Sequence, residues 1–132
     1  MKTFIETQGS PPNLAGVACE ELFCQQYWYD GKLAEEANVI YLRCGSVWHS
    51  LCIDCGVIFW RTGQTAPLPH EIPDLAASYR VVDLSVELDL RAQTIKGYET
   101  SAVNGEVRVE FIFESGRRLS VCNKNDCTSL VV

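Results

Sequence analysis

Two cysteines in the middle of the chain have the spacing of a zinc-binding pair. Cys52 and Cys55 form a Cys-x-x-Cys motif that Gly56 follows, as in a zinc knuckle. A structural zinc ion takes four thiolate or imidazole ligands in a tetrahedron, so two further ligands are needed. The candidate sets are Cys52, Cys55, Cys122 and Cys127, or Cys44, His49, Cys52 and Cys55. A zinc-binding module with four cysteine ligands is therefore one hypothesis.

The residues around this pair favour a hairpin instead. Residues 47–53 and 57–61 have the largely apolar composition that is typical of β-strands. Between them, Asp54-Cys55-Gly56 would form a three-residue loop, with glycine at the position that needs a positive φ. A thioredoxin-like redox motif would need a helix after Cys55, and none is indicated. We therefore predict a hairpin with buried or half-buried thiols and no bound cofactor, with zinc as the alternative.

The two histidines are the next candidates, because imidazole can act as a general base. The neighbours of His49 at two-residue spacing are apolar, which predicts a hydrogen-bonded histidine in the core or at the sheet edge. His70 precedes Glu71 within residues 62–74, a segment with three prolines that is predicted to be a loop. Ordered loops of this length often carry function, so His70 and Glu71 are candidate binding residues. A small enzyme that uses His70 with carboxylates is an alternative, and no catalytic residue is assigned.

A third candidate site is acidic. In residues 79–90, Asp83, Glu87 and Asp89 alternate with apolar residues, which predicts a half-buried strand with an acidic outer face. Such carboxylates could bind a cation weakly or contact a basic partner. A short helix over residues 84–90 is the alternative for this segment.

The first element that would position these residues is a predicted helix. Asn13 is a good N-cap residue, and apolar side chains then recur at steps of three and four residues. Asp30-Gly31 would end this helix, because glycine readily adopts the left-handed backbone conformation found after a helix C-terminus. We predict a helix over residues 14–29, and its apolar stripe contains Leu14, Val17, Ala18, Leu22, Trp28 and Tyr29.

The rest of the chain has the two-residue period of strands. Asn104-Gly105 is a strong hairpin signal, and the strand after it places four apolar side chains on one face: Val107, Val109, Phe111 and Phe113. A four-residue loop at 123–126 would place Cys122 opposite Cys127. Strands are predicted at residues 38–44, 47–53, 57–61, 93–103, 106–114, 117–122 and 127–132. The predicted fold is α+β, with an N-terminal helix packed on a single curved antiparallel sheet that either closes partly into a barrel or splits into two layers.

Length and composition indicate a single globular domain over residues 1–132, with residues 1–12 as a flexible N-terminus. The chain is 47% hydrophobic and 21% charged, which excludes wholesale disorder. Its apolar runs are far shorter than the roughly 20 residues that cross a bilayer, and no secretion signal is visible. A cytoplasmic protein is therefore predicted.

The charge distribution narrows the choice of partner. Residues 1–89 carry 12 acidic and 5 basic side chains, and the net charge of the chain is −6. Nucleic-acid binding is disfavoured because it depends on clustered Lys and Arg, whereas an acidic surface suits a basic protein partner. The first functional hypothesis is a non-catalytic binding or accessory protein, such as an immunity-type inhibitor of a basic partner. The second is small-molecule or cofactor binding in the concave face of the sheet.

Overall fold

The computed structural model describes residues 5–63 and 65–132, and this part of the chain is almost entirely β-structure. Its helical segments are a 3₁₀ turn (Pro73–Leu75) and α1 (Leu84–Glu87). The strands are β1 (Thr7–Gln8), β2 (Val17–Tyr29), β3 (Lys32–Cys44), β4 (Val47–Asp54), β5 (Val57–Thr62), β6 (His70–Ile72), β7 (Ala77–Asp83), β8 (Thr94–Val103), β9 (Glu106–Phe113), β10 (Arg118–Lys124) and β11 (Cys127–Val131). The α+β prediction is therefore wrong. In the described part of the chain, no helix has the length and apolar character needed to cross a membrane.

The strands form one sheet that folds over into two layers. The first layer has the order β1-β5-β4-β3-β2-β7-β6, and the second has the order β8-β9-β10-β11. β2 joins the layers, because Val17 and Ala18 pair with β8 whereas the rest of the strand pairs with β3. β11 also meets β3, where the N–H of Leu130 donates to the Glu36 carboxylate at 3.1 Å. Among the described strands, β1 and β5 are parallel and the other pairs are antiparallel.

The predicted helix over residues 14–29 is wrong, because most of these residues form β2. Cys19 and Leu22 are both buried although they are three residues apart, since a β-bulge lies between them. A bulge of this kind imitates the three-residue step of a helix. The aromatic residues near the end of β2 are more typical of a strand. Asn13 forms a local turn, in which its Oδ1 accepts from the N–H of Ala15 at 3.3 Å.

Two-residue hairpin loops fix the register of the strands. Both residues of each loop have positive φ, the type I′ geometry that matches the twist of antiparallel strands. In the described chain these loops are Asp30-Gly31, Gly45-Ser46, Cys55-Gly56, Asn104-Gly105 and Asn125-Asp126. Two predicted loops are thus corrected: Asp54 pairs with Val57 instead of lying in a three-residue loop, and Lys124 pairs with Cys127 instead of lying in a four-residue loop.

The predicted acidic strand ends earlier than expected. β7 stops at Asp83, whose carboxylate accepts from the N–H groups of Ser85 and Val86 and so caps α1. The continuous strand through residue 89 is therefore wrong, and the helical alternative is closer. A capping carboxylate explains the change, because it satisfies N–H groups that have no partner in the first turn of a helix.

The core lies between the two layers. The face of β9 predicted to be buried is confirmed, with Val109, Phe111 and Phe113 buried and Val107 half-buried at its edge. The side chain of Trp60, on β5 of the first layer, packs against the second layer. The centroid of its ring lies 6.3 Å from that of Phe111 and 5.2 Å from that of Tyr98. One continuous cluster of buried residues includes side chains of both layers.

The N-terminal segment lies along the first layer. Thr7 and Gln8 pair in parallel with Ile58 and Phe59. Gly9 has a φ of +83°, and a Cβ atom there would overlap the carbonyl oxygen of Trp60, so only glycine fits. The prediction of a flexible terminus over residues 1–12 falls in part on residues 1–4, which lie outside the described residues.

Candidate ligand-binding groove

The first layer turns a row of large side chains away from the core. Side chains alternate along a strand, so odd-numbered residues of β3 and β5 and even-numbered residues of β4 share the outward face. The pairing registers place Tyr41 beside Ser50 and Ser50 beside Arg61. The next row contains Cys52 beside Phe59. Each row thus has a small residue on β4 next to a larger one.

This alternation of size creates a groove along β4. Ser50 and Cys52 form its floor, and the longer side chains of Tyr41 on β3 and Phe59 on β5 stand on either side. The cavity measures about 330 Å³, at the lower end of the range for small-molecule sites. The residues that line this β4 groove are Val39, Tyr41, Ser50, Cys52, Asp54, Phe59 and Arg61.

The loop after β5 passes over the same face. It connects β5 to β6, which lie on opposite sides of β4, β3, β2 and β7 in the first layer. A second cavity of about 550 Å³ lies against this loop, and it is lined by Gly63, Thr65, Ala66, Pro67, Leu68, Gln25 and Tyr41. Because Tyr41 lines both cavities, the loop stands beside the β4 groove on its β3 side. The predicted loop over residues 62–74 is thus shorter than expected, since β6 begins at His70.

Two opposite charges stand at the ends of the β4 groove. Arg61 lies beside Ser50, whereas Asp54 follows Cys52 at the other end of β4. Ser50 and Asp54 are four residues apart on an extended strand, so the charged ends are roughly 13 Å apart. Arg61 makes no ion pair with any described residue. Its guanidinium group is therefore free to bind an anion.

Two polar side chains of the groove, Tyr41 and Cys52, keep their protons at neutral pH. Burial raises the pKa of the Tyr41 hydroxyl, and the nearby Cys52 adds to the effect. Burial also raises the pKa of the Cys52 thiol, as do the charges of Asp54 and Glu35, while Arg61 opposes them. A protonated thiol is a poor nucleophile. The groove thus offers neutral hydrogen-bonding groups, which suit binding better than covalent catalysis.

The structure separates the members of the predicted four-cysteine set. Cys52 lies in the groove floor, Cys55 is exposed at the tip of the β4–β5 hairpin, and Cys122 is buried on β10. Cys122 pairs with Ser129 and not with Cys127, because the loop between β10 and β11 has two residues rather than four. The prediction that Cys122 and Cys127 lie opposite each other is therefore wrong.

The second predicted set is also divided. Cys44 is buried opposite Cys19, and His49 points to the core side of β4, away from the groove. Within residues 5–63 and 65–132, the group of three ligand atoms close enough to share an ion is Asp54, Cys55 and Asp126, at 4.8 Å or less from one another. All three residues are exposed, and Asp126 also accepts from the N–H of Cys55 at 3.1 Å. Exposed acidic groups of this kind are common without an ion, and we assign no ligand to them.

Neither histidine lies in the groove. The prediction for His49 is confirmed, since its side chain is buried and its Nδ1 lies 3.0 Å from the Thr62 hydroxyl. Burial lowers the pKa of His49, so the ring is neutral at pH 7. His70 is exposed on β6, and its ring stacks on Tyr79 with centroids 5.0 Å apart. Glu71 beside it is also exposed.

The acidic residues predicted to form the outer face of one strand do not lie on one strand. Asp83 caps α1, Glu87 lies in that turn and Asp89 follows it with a φ of +52°. Other carboxylates in the acidic part of the chain have partners within the protein. Glu20 and Glu21 lie 3.0 and 3.3 Å from Arg43 Nε, and Glu36 accepts from the N–H of Leu130. The free acidic surface is thus smaller than the sequence indicates, and binding to a basic protein stays a prediction.

The β4 groove was missed from the sequence, although its residues carry a signal. Ser50 and Cys52 are small residues at alternate positions of a strand, and Tyr41 and Phe59 are aromatic residues in the strands on either side. The groove depends on which of these residues stand side by side, and that register follows from the hairpin loops.

Comparison with known proteins gives no family for this chain. No protein-family model matches it, and neither the curated proteins nor the solved structures gave a match. Its function must therefore be argued from its own geometry.

The Glu35 carboxyl group gives a prediction about pH. Burial is the main cause that raises its pKa, the charges of Asp126 and Asp54 add to it, and the N–H of Thr128 opposes them. The folded state therefore binds this proton more tightly than the unfolded state does. Stability from this group is present below its ordinary pKa of 4.5 and is lost as pH rises through the higher folded value.

Glu35→Gln should remove this loss, because the amide oxygen can still accept from Thr128 without a charge. We expect a higher urea midpoint than wild type at about pH 7 and almost no difference at about pH 4, where the wild-type carboxyl group is also neutral. The exposed Glu114→Gln is the control and should change neither midpoint. A shift of equal size at both pH values would contradict the prediction.

Proposed function

We propose that the protein is a non-catalytic binding protein whose β4 groove holds a small molecule with a flat, apolar body and an anionic group. The floor of Ser50 and Cys52 between Tyr41 and Phe59 supports this most directly, because it leaves a slot bounded by aromatic rings. Aromatic side chains pack well against planar ligands. A few polar groups at fixed positions then set the orientation of the ligand.

The charges argue for an anionic group at one end of the ligand. Arg61 has no ion-pair partner among the described residues, and its planar guanidinium group can donate two hydrogen bonds to a carboxylate. At the other end, Asp54 would repel the same group. The ligand is therefore expected to lie with its anionic group beside Arg61 and its flat body over Ser50 and Cys52.

The protonation states argue against an enzyme in this groove. The Cys52 thiol and the Tyr41 hydroxyl have raised pKa values, so neither is ionised at neutral pH. His49 points to the opposite face of the sheet and His70 lies on β6, so no general base of this type reaches them. Binding without chemistry is the simplest use of these groups.

A fluorescence titration with 1-anilinonaphthalene-8-sulfonate, followed by displacement with 2-naphthoate, tests the proposal. Cys52→Phe should fill the floor and abolish saturable binding of both probes. Arg61→Ala should weaken the binding of 2-naphthoate by a factor of about ten or more, because it removes the charge-assisted hydrogen bonds to the carboxylate. The same substitution should leave the affinity for the uncharged 2-naphthamide unchanged.

Arg91→Ala is the matched control, since Arg91 is exposed and does not line the groove. Amide chemical shifts of β3, β4 and β5 should move on titration while those of β9 stay in place. Naphthoate binding that survives Cys52→Phe in a folded protein, or no saturable binding by wild type, would overturn the proposal.

A further inference from the structure

Two cysteines outside the groove face each other in the core. Cys19 on β2 is directly opposite Cys44 on β3, and only 1% and 4% of their surfaces are exposed. Both are free thiols. At this point β2 changes its neighbouring strand, because Val17 and Ala18 pair with β8 of the second layer whereas Cys19 pairs with β3 of the first. The pair therefore lies where the two layers join.

The backbone hydrogen bonds decide how close the two residues come. The N–H of Cys19 donates to the carbonyl oxygen of Gln93 at 2.9 Å, and the N–H of Ala92 donates to the carbonyl oxygen of Cys19 at 2.8 Å. Both backbone groups of Cys19 thus point away from β3, so Cys19 and Cys44 form a non-hydrogen-bonded pair. Such pairs have Cα atoms about 4.5 Å apart, the closer of the two antiparallel arrangements. This spacing lies within the range that a disulfide bond spans.

The two thiols also affect each other's ionisation. The side-chain interaction with Cys44 raises the pKa of Cys19 and lowers that of Cys44, while burial raises both and the charge of Glu20 opposes ionisation of either. In the reduced protein the Cys19 Sγ donates to the carbonyl oxygen of Glu21 at 3.7 Å. Cys44 is therefore the thiol that loses its proton first. It also stands directly before the exposed Gly45-Ser46 loop, whereas Cys19 is followed by half-buried strand residues.

We propose that Cys19 and Cys44 are a site of reversible oxidation to an intramolecular disulfide, with hydrogen peroxide as the oxidant. The Cys44 sulfur attacks one peroxide oxygen, the O–O bond breaks, and the leaving hydroxide takes the thiol proton to give water and a Cys44 sulfenic acid. The Cys19 sulfur then attacks the Cys44 sulfur, the S–O bond breaks, and a second water leaves with the Cys19 proton. Two thiols lose two electrons, and one peroxide becomes two waters.

The disulfide would join β2 to β3 at the junction of the layers. A covalent link between residues 19 and 44 restricts the unfolded chain and so stabilises the folded state. The oxidised protein should resist unfolding more than the reduced protein does. This inference does not depend on a ligand in the β4 groove.

The test uses the full chain with Cys55→Ser and Cys127→Ser, which remove the two exposed thiols. After treatment with hydrogen peroxide, intact-mass analysis should show the loss of two hydrogens, and peptide mapping should find Cys19 linked to Cys44. The urea midpoint should rise and return to its starting value with dithiothreitol.

Cys24→Ser is the matched control. Cys24 is as buried as Cys19 on the same strand but lies opposite Ile40, and burial raises its pKa to about 12. This variant should still form the disulfide, whereas Cys44→Ser and Cys44→Ala should not. Peroxide treatment that leaves both thiols free, or links Cys19 to a different cysteine, would overturn the proposal.

Discussion

Replacing Phe111 with alanine is expected to lower the free energy of unfolding by about 3–5 kcal/mol. Phe111 is buried on β9, and its ring contacts Tyr98 of β8 and Trp60 of β5 at centroid distances of 5.8 and 6.3 Å. These three rings connect the two layers. Alanine would lose the ring contacts and leave a cavity that the surrounding strands cannot fill, because both layers are held in register by hairpins. Urea denaturation measures the effect.

Ile112→Ala is the matched control for this substitution. Ile112 is the next residue of β9 but points to the outer side of the second layer, where it is half-buried. Ile112→Ala should lower the free energy of unfolding much less than Phe111→Ala does. Equal costs at the two positions would contradict the two-layer core, since they would mean that the two faces of β9 are equally shielded from water.

Replacing Asn123 with leucine is expected to cost about 2 kcal/mol, although leucine is apolar and of similar size. Asn123 is buried on β10, and its Nδ2 donates to the carbonyl oxygen of Ile53 at 3.2 Å and to the Thr128 hydroxyl at 3.1 Å. Thr128 also donates to the Ile53 oxygen at 3.4 Å. Leucine would leave buried polar groups without a donor in a place that water does not reach. Urea denaturation at neutral pH measures the loss.

A double-mutant cycle with Thr128→Val tests the hydrogen-bond network itself. Asn123 and Thr128 are hydrogen-bonded to each other and share the Ile53 carbonyl oxygen as acceptor, so the cost of the double variant should differ from the sum of the two single costs. Lys124→Ala, an exposed change on the same strand, should have almost no effect. Additive costs would show that Asn123 and Thr128 act separately and do not tie the second layer to β4.

These contacts also bear on the groove. Ile53 is the inward neighbour of Cys52 on β4, and its carbonyl group is held by Asn123 and Thr128 from the second layer. These hydrogen bonds from the second layer hold β4, the strand that forms the groove floor, from its core side. A floor on a rigid strand keeps the Ser50 and Cys52 side chains in place before a ligand arrives, which lowers the entropic cost of binding.

The sequence by itself determined the local features that depend on neighbouring residues. Asn104-Gly105 predicted its hairpin, because both residues tolerate positive φ and this is what a type I′ turn needs. The strict alternation after it predicted which side of β9 is buried. The apolar neighbours of His49 likewise predicted a buried, hydrogen-bonded ring.

The tertiary structure decided what depends on residues far apart in the chain. β2 has a bulge, and its buried residues imitate a helical period, so only its pairing with β3, β7 and β8 shows that it is a strand. The β4 groove and the Cys19–Cys44 pair arise from cross-strand registers. A shift of one residue in those registers would turn each of these side chains to the opposite face. Hairpin loops and the packing of two layers set the registers together, and no local pattern contains that information.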